Sequence, residues 1–289
     1  MSAGRLVLVG TPIGNLGDLT PRAVQVLRDA DVIAAEDTRR TRALLTHAGV
    51  PAAGRLVAVH EHNERSRADE LVEDIRQGAT VAVVSDAGMP GVSDPGERLV
   101  RTCLDAGVVV EVVPGPSAAL AGLVVSGLPS DRFVFEGFLP RKGPARRARL
   151  AALAVEDRTV VCFESPRRLR DTLAELADAC GPDRPVVLAR ELTKLHESVL
   201  RGTLGSTLAH VAEEEPRGEY VVVLGGAGPA PEVSADELGR HARDAIAGGL
   251  SSKDAAALLA ARLGVSRRRA YDAVVAQRAK PDGTDSGDQ

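Results

Sequence analysis

Short apolar runs at residues 5–9 (RLVLV), 31–35 (DVIAA), 55–59 (RLVAV), 80–84 (TVAVV) and 108–113 (VVVEVV) recur through the first 118 residues. Each stops abruptly in a polar or Gly/Pro-rich loop. Helical periodicity fills the gaps, as in 21–30 (PRAVQVLRDA), 64–77 (ERSRADELVEDIRQ) and 96–106 (GERLVRTCLDA). Continuous Val/Leu-rich strands alternating with helices predict a parallel sheet covered on both faces. In such a sheet the loops after the strand C-termini share one edge, where ligands bind. Those loops read TPIGNLGD, EDTRRT, HEHNE, SDAGMPGVSDPG and PGPSAA, all rich in chemistry-capable groups. The loops at the opposite edge (HAGVPAAG, QGA, DAG) are ordinary turns.

From 119 to about 227 the pattern changes. Strands are predicted at 133–136, 159–163, 186–190, 198–201 and 220–224, and helices at 144–154, 166–180 and 205–215. Strands outnumber helices, which predicts a mixed or largely antiparallel second sheet. GGAGPAPE at 225–232 has linker composition. The organisation expected is therefore an α/β chain with a parallel-sheet domain at 1–118 and a mixed-sheet α/β domain at 119–227. A small basic helical domain at 234–280, with helix-turn-helix-like spacing, and a disordered tail at 281–289 complete it.

Composition narrows the function classes. A net charge of −4 argues against wholesale coating of nucleic acid but leaves room for local basic patches. Cys103, Cys162 and Cys180 lack CxxC spacing and read as small apolar residues in a reducing compartment. No apolar run reaches 18 residues and no charged leader precedes one, so a cytoplasmic protein without a membrane partner is expected.

GTPIGNLG at 10–17 follows the first strand, yet it matches neither GxGxxG nor a P-loop. Pro12 removes an amide that a pyrophosphate would use, and no lysine follows. Glu36 mimics the ribose-binding acid of a dinucleotide fold, but the loop that should hold the pyrophosphate is wrong. Thr20 before Pro21 caps the helix that follows. In SDAGMPGVSDPG the only charges are Asp86 and Asp94, and Ser93 or Asp94 is expected to cap the next helix. Ser117 in PGPSAA is placed to cap or to donate a hydroxyl. None of these three loops carries a basic residue, so their amides and carbonyls suit a neutral or zwitterionic nucleoside–amino acid ligand better than a polyphosphate.

TPIGNLGDLTPRA, AAEDTRRTRALL, HEHNE, SDAGMPGVSDPG, PGPSAA, GLPSDRFVFEGFLPRK, FESPRRL, VLARELTK and GEYVVV occur in this order across residues 5–226. Together they resemble the small-subunit ribosomal RNA cytidine 2′-O-methyltransferases of the tetrapyrrole-methylase-like class. The resemblance implies two α/β domains, an S-adenosylmethionine cleft between them and a homodimer. It implies as acceptor the ribose 2′-hydroxyl of a cytidine in the decoding region, on RNA or on the assembled small subunit. It also implies donor contacts at Pro12 and Gly14, at Asp86, Ala87, Gly88, Met89 and Gly91, and at Ser93, Ser117, Ala118, Phe163 and Glu164. Met89 replaces a usual threonine, Gly91 and Val92 a bulkier apolar pair, and Arg167 a common histidine.

A 2′-hydroxyl is a poor nucleophile until its proton leaves, so a base or a stabilising charge should help. Candidates at the first sheet's edge are Glu36, Asp37, Arg39, His60, Glu61 and His62; Glu164, Glu191 and Lys194 are those of the second domain. The sequence does not choose among them. In EDTRR, a carboxylate pair beside two guanidiniums can also grip an RNA phosphate. His60 and His62 lack a third ligand at metal-site spacing, and no metal is expected. Residues 141–150 hold five Lys/Arg and no acid, and 251–280 hold seven Lys/Arg against two Asp. Arg141, Lys142, Arg146, Arg147, Arg267, Arg268 and Arg269 are the expected RNA contacts. Rival readings are a tetrapyrrole or other small-molecule methyltransferase, which has no use for these patches, and a nucleotide-responsive DNA-binding regulator, which would not consume the donor.

Overall fold

The computed structural model describes residues 4–52, 54–60, 62–213, 215–228 and 233–279. The chain divides into two units, Met1–Ala227 and Gly228–Gln289. The first contains two sheets. In one, β1 (Arg5–Val9), β2 (Val32–Ala35), β3 (Leu56–Ala58), β4 (Thr80–Val84) and β5 (Val109–Val113) lie in the order β3-β2-β4-β1-β5, all parallel. The alternation of each strand sorts its side chains between two layers. Val7, Val9, Ile33, Ala35, Ala82 and Val84 pack with α1 (Pro21–Asp29) and α2 (Thr38–His47). Leu6, Ala34, Val81 and Val83 pack with α3 (Glu64–Arg76) and α4 (Glu97–Asp105). β1 and β4 are neighbours whose following helices cover opposite faces. Their C-terminal loops therefore mark the switch point of the open parallel sheet, where ligands bind.

Capping matches the expectation at α1 and departs from it at α4. Thr20 does cap α1, accepting from the Ala23 amide at 3.1 Å. Neither Ser93 nor Asp94 caps α4; its N-cap is Gly96, at φ 137°, a conformation that favours glycine. The capping acceptor comes from α3 instead, the Glu64 carboxylate taking the amides of Gly96 at 3.0 Å and Leu99 at 3.4 Å.

The second sheet contains β6 (Phe133–Phe138), β7 (Thr159–Glu164), β8 (Pro185–Arg190), β9 (Ser198–Thr203) and β10 (Tyr220–Leu224) in the order β6-β7-β10-β8-β9. β6 and β7 are parallel and the other pairs antiparallel, a mixed sheet. Three helices, α6 (Gly143–Val155), α7 (Pro166–Cys180) and α8 (Leu204–Glu213), cover one face around Leu153, Leu169, Leu173 and Leu176. The other face receives α5 (Ala118–Ser126), a helix that the sequence pattern does not predict. Its residues, AALAGLVVS, are apolar all round and so carry no helical periodicity to detect. Ile13, from the loop after β1, joins Leu123, Val187 and Val221 in this same cluster. One loop of the first sheet is thus rooted in the core of the second.

The second unit holds α9 (Ala235–Ala247), α10 (Ser252–Leu263) and α11 (Arg267–Arg278) around Leu238, Ala242, Leu259, Ala270 and Val274. Ser234, Ser251 and Ser266 cap the three helices, each accepting from the amide three residues on. Gly264, in the left-handed region at φ 65°, ends α10. The expected tail at 281–289 lies outside the described residues.

Candidate active site

The glycines of the loop after β1 serve close approach. A Cβ on Gly10 would stand 2.6 Å from Gly115 Cα, so the β1 and β5 loops pack backbone against backbone. Thr11 and Gly88 then exchange backbone hydrogen bonds (2.9 and 3.2 Å), zipping this loop to the one after β4. A Cβ on Gly14 would lie 2.5 Å from Lys194 Cγ, and the Asn15 amide donates to Thr193 Oγ1 at 3.0 Å. Residues 10–15 are therefore clamped between both sheets, and little of their backbone is left for a phosphate.

Beside this clamp lies a cavity of about 370 Å3, within the size range of small-molecule sites. The first sheet contributes Ile13, Ala87, Gly88, Met89, Val92, Ser93, Asp94, Ser117 and Ala118. The second contributes, among others, Phe138, Phe163, Glu164, Ala189, Leu192, Lys194 and Tyr220. A bulge at Glu136, between Phe135 and Gly137, turns the end of β6, and Phe138 meets Phe163 edge-on with centroids 5.7 Å apart. Asp94 is the wall's unusual carboxylate. Burial, reinforced by the charges of Glu36 and Asp86, pushes its pKa up to about 6.

Two polar networks hold the second-sheet wall. Glu164 is buried, accepts from Thr172 Oγ1 at 2.7 Å and from the Ser165 amide at 2.8 Å, and pairs with Arg168 at 3.3 Å. Thr172 in turn accepts from Arg146 at 2.9 Å, and Arg146 also pairs with Glu175. This corrects the sequence reading of Arg146 as an RNA contact. Arg146, Leu150 and Leu153 form the buried stripe of α6, so its guanidinium points into the domain. Arg141, Lys142 and Arg147 are exposed, as are Arg267, Arg268 and Arg269 at the start of α11. In the second network Lys194 Nζ pairs with Glu191 at 2.9 Å and Glu219 at 2.8 Å. Burial works against its charge, but the hydrogen bonds to Glu219 and Glu191 outweigh it and hold the amine above its ordinary value. Lys194 is therefore a cation at neutral pH. Its loop carries two non-glycine residues at positive φ, Glu191 at 50° and Thr193 at 66°, strain that concentrates at functional sites.

A second cavity, of about 320 Å3, is lined by Thr11, Pro12, Gly14, Arg40, Thr41, Ser85 and Asp86 among others. Ile13, Ala87, Lys194 and Glu219 line both cavities. Of the expected donor contacts, Ala87, Gly88, Met89, Ser93, Ser117, Ala118, Phe163 and Glu164 share the first cavity, while Pro12, Gly14 and Asp86 share the second. Gly91 lines neither, its amide turned back to the Pro95 carbonyl. Among the catalytic candidates, Glu164 and Lys194 line a cavity. Glu36 lies behind Asp86, accepting its amide at 3.4 Å, and burial raises its pKa. Asp37 caps α2 through the Arg39 amide, a bond that lowers its pKa, and Arg39 is 89% exposed. His60 and His62 face each other edge-on, with Glu61 outside the described residues. Among the described residues no three His, Cys, Asp or Glu side chains are grouped to hold a metal, and no helix is long and apolar enough to cross a membrane. Not foreseen from the sequence are Ala189, Tyr220 and Val221, which reach the site through the antiparallel pairing of β8 with β10, and Leu192 in the loop that follows β8.

This arrangement is that of a known class. Residues 5–207 match the family model of the Tetrapyrrole (Corrin/Porphyrin) Methylases. A crystal structure of uroporphyrin-III C-methyl transferase from Thermus thermophilus, complexed with S-adenyl homocysteine, superposes with a TM-score of 0.56 at 26% identity, covering 77% of this chain and 97% of that one. The chain belongs to the tetrapyrrole methylase family. Ribosomal RNA small subunit methyltransferase I of Mycobacterium tuberculosis (strain CDC 1551 / Oshkosh) is 49% identical over 98% of this chain and 99% of its own. The protein of the same name from Thermotoga maritima is 48% identical over 223 residues, 77% of this chain and 99% of that one. Within the family, the chain belongs with the ribosomal RNA small subunit methyltransferase I proteins.

Proposed function

We propose that the protein transfers a methyl group from S-adenosylmethionine to the ribose 2′-hydroxyl of a cytidine in the decoding region of small-subunit ribosomal RNA, in the cytoplasm. The full-length relationship to the mycobacterial methyltransferase carries this reading. The first cavity fits the donor. Its apolar walls, Met89, Phe138, Phe163 and Leu192, suit an adenosine, and Asp94 offers a carboxylate to a cationic group. When bound, the donor supplies a methyl carbon already activated by a positive sulfur.

The chain's task is alignment, worth about 7–11 kcal/mol when reacting groups are well oriented. The clamped β1 loop, the Glu164 network and the strained Lys194 loop provide rigid walls for it. Lys194, held protonated, serves as a cation beside the reacting oxygen rather than as a base. The hydroxyl's proton leaves to solvent or to a carboxylate as the oxygen–carbon bond forms.

The Thermotoga relative has about the length of the α/β unit alone, which supports placing the chemistry there. Arg141 and Lys142 just ahead of α6, Arg147 on it, and Arg267, Arg268 and Arg269 on α11 are proposed as RNA contacts, and a homodimer as the working form. We place the boundary between the two α/β domains at residues 118 and 119, at the start of α5; the packing of that helix on the second sheet supports a boundary in this region. Incubation with radiolabelled donor and small ribosomal subunits tests the reading. Label on the 2′-oxygen of one cytidine is expected; label only on a tetrapyrrole, or donor binding without turnover, would overturn it.

A further inference from the structure

The two cavities share the wall formed by Ile13, Ala87, Lys194 and Glu219. We propose that the second, bounded by Thr11, Gly14, Arg40, Thr41, Ser85 and Asp86, receives the target nucleoside turned out of its stack, and that Arg40 and Asp86 select a cytosine edge there. This rests on the reading of the chain as an RNA methyltransferase.

Position supports it first. Displacement at a methyl carbon requires donor and acceptor atoms about 3–3.5 Å apart, so an acceptor must sit in space that opens onto the donor's. The shared residues Ile13, Ala87, Lys194 and Glu219 mark where that contact falls. Both linings are mixed, but Met89, Phe138 and Phe163 belong to the first cavity alone, and Arg40 and Asp86 to the second alone. Enzymes that act on an extruded nucleotide read its Watson–Crick edge with such groups.

Arg40 and Asp86 make that reading specific. Asp86 Oδ1 accepts the Asp37 amide at 3.0 Å, which fixes the carboxylate, and Arg40 lies 3.3 Å from Oδ2. An acceptor is thus held beside a donor. Cytosine presents the complement: its amino group donates to a carboxylate, and N3 and O2 accept from a guanidinium. Uracil presents O4 and N3–H, an acceptor and a donor in the reverse order. A site built to hydrogen-bond one edge rejects the other because its polar groups go unpaired.

The test uses small subunits carrying cytidine or uridine at the methylated position. Wild-type protein is expected to prefer cytidine by roughly 10- to 100-fold in kcat/KM. Asp86→Asn keeps an oxygen for the Asp37 amide but offers an N–H in place of an acceptor. It should erase most of that preference, read as the ratio of kcat/KM for the two substrates, in which any change in donor affinity cancels. Ala43→Phe, on an exposed position of α2 that lines the cavity, should cut methylation about 100-fold while affinity for the demethylated donor, measured by calorimetry, stays within about threefold. Unchanged cytidine preference in Asp86→Asn, or wild-type turnover or parallel loss of donor affinity in Ala43→Phe, would overturn the proposal alone. Wild-type protein that labels no subunit overturns the RNA reading, and this one with it.

Discussion

Residues 141–149 and residues 267–269 look alike in sequence, both arginine-rich openings of helices, yet they meet different surroundings. In α11 the buried positions are Ala270 and Val274, and all three arginines stay exposed. In α6 the buried positions are Arg146, Leu150 and Leu153, so one arginine of the run is turned inward. It anchors the chain from Glu175 through Thr172 to Glu164 in the cavity wall. A basic run is therefore read one helix face at a time, and its charge total says nothing about which guanidiniums reach solvent.

The largest effect expected from breaking this contrast is at Arg146. Arg146→Ala removes the buried guanidinium that donates to Thr172 and to the Pro140 carbonyl and should destabilise the α/β unit by about 2 kcal/mol, while Glu175, nearly half exposed, turns to solvent. Chemical denaturation checks this, and Arg147→Ala, one residue away, should leave the midpoint unchanged. An equal loss in both would mean that burial does not separate them.

Replacing Arg267, Arg268 and Arg269 together by alanine should do the opposite: no loss of fold, but weaker RNA binding with a shallower salt dependence. Each lost phosphate contact lowers the log–log slope by ~0.7, so a change of up to about 2 is expected. Titrations at several salt concentrations measure it. An unchanged slope would remove α11 from the RNA surface.

The smallest effect extends the contrast from cations to carboxylates. Asp94 is pushed up by burial, whereas Asp37, open to solvent, is pulled down by the Arg39 amide. Because its folded pKa of about 6 exceeds the ordinary value, the proton on Asp94 stabilises the fold at low pH. That stabilisation is complete below about pH 4 and fades as pH rises through about 6. Asp94→Asn mimics the protonated form. It should melt about 2–4 °C above wild type at pH 7, roughly 1 kcal/mol after allowance for solvent screening, and together with it at pH 4. A gap that persists at pH 4 would refute the assignment.

Much of the architecture was legible. The Val-rich runs match β1, β2, β3, β4 and β5 to within a residue at most ends, because buried parallel strands are continuously apolar and their loops are not. Gathering of the Gly/Pro loops at one edge follows from the same topology. The spacing of Arg146 from Leu150 and Leu153 was a signal for its burial, hidden by the charge of its neighbours. No comparable signal existed for α5, apolar on every side, or for the cap that Glu64 lends to α4 from another helix.

By itself, then, the sequence determined the alternation of strands and helices, the chemistry of the rim loops and the family to which they belong, since each depends on local pattern. Tertiary structure decided which side chains share a cavity. Leu192, Lys194 and Tyr220 meet Ile13 and Ala87 only because a loop of one sheet is rooted in the core of the other. Contacts between residues almost two hundred positions apart, such as Asn15 with Thr193, are set by packing between sheets, which no periodicity along the chain encodes.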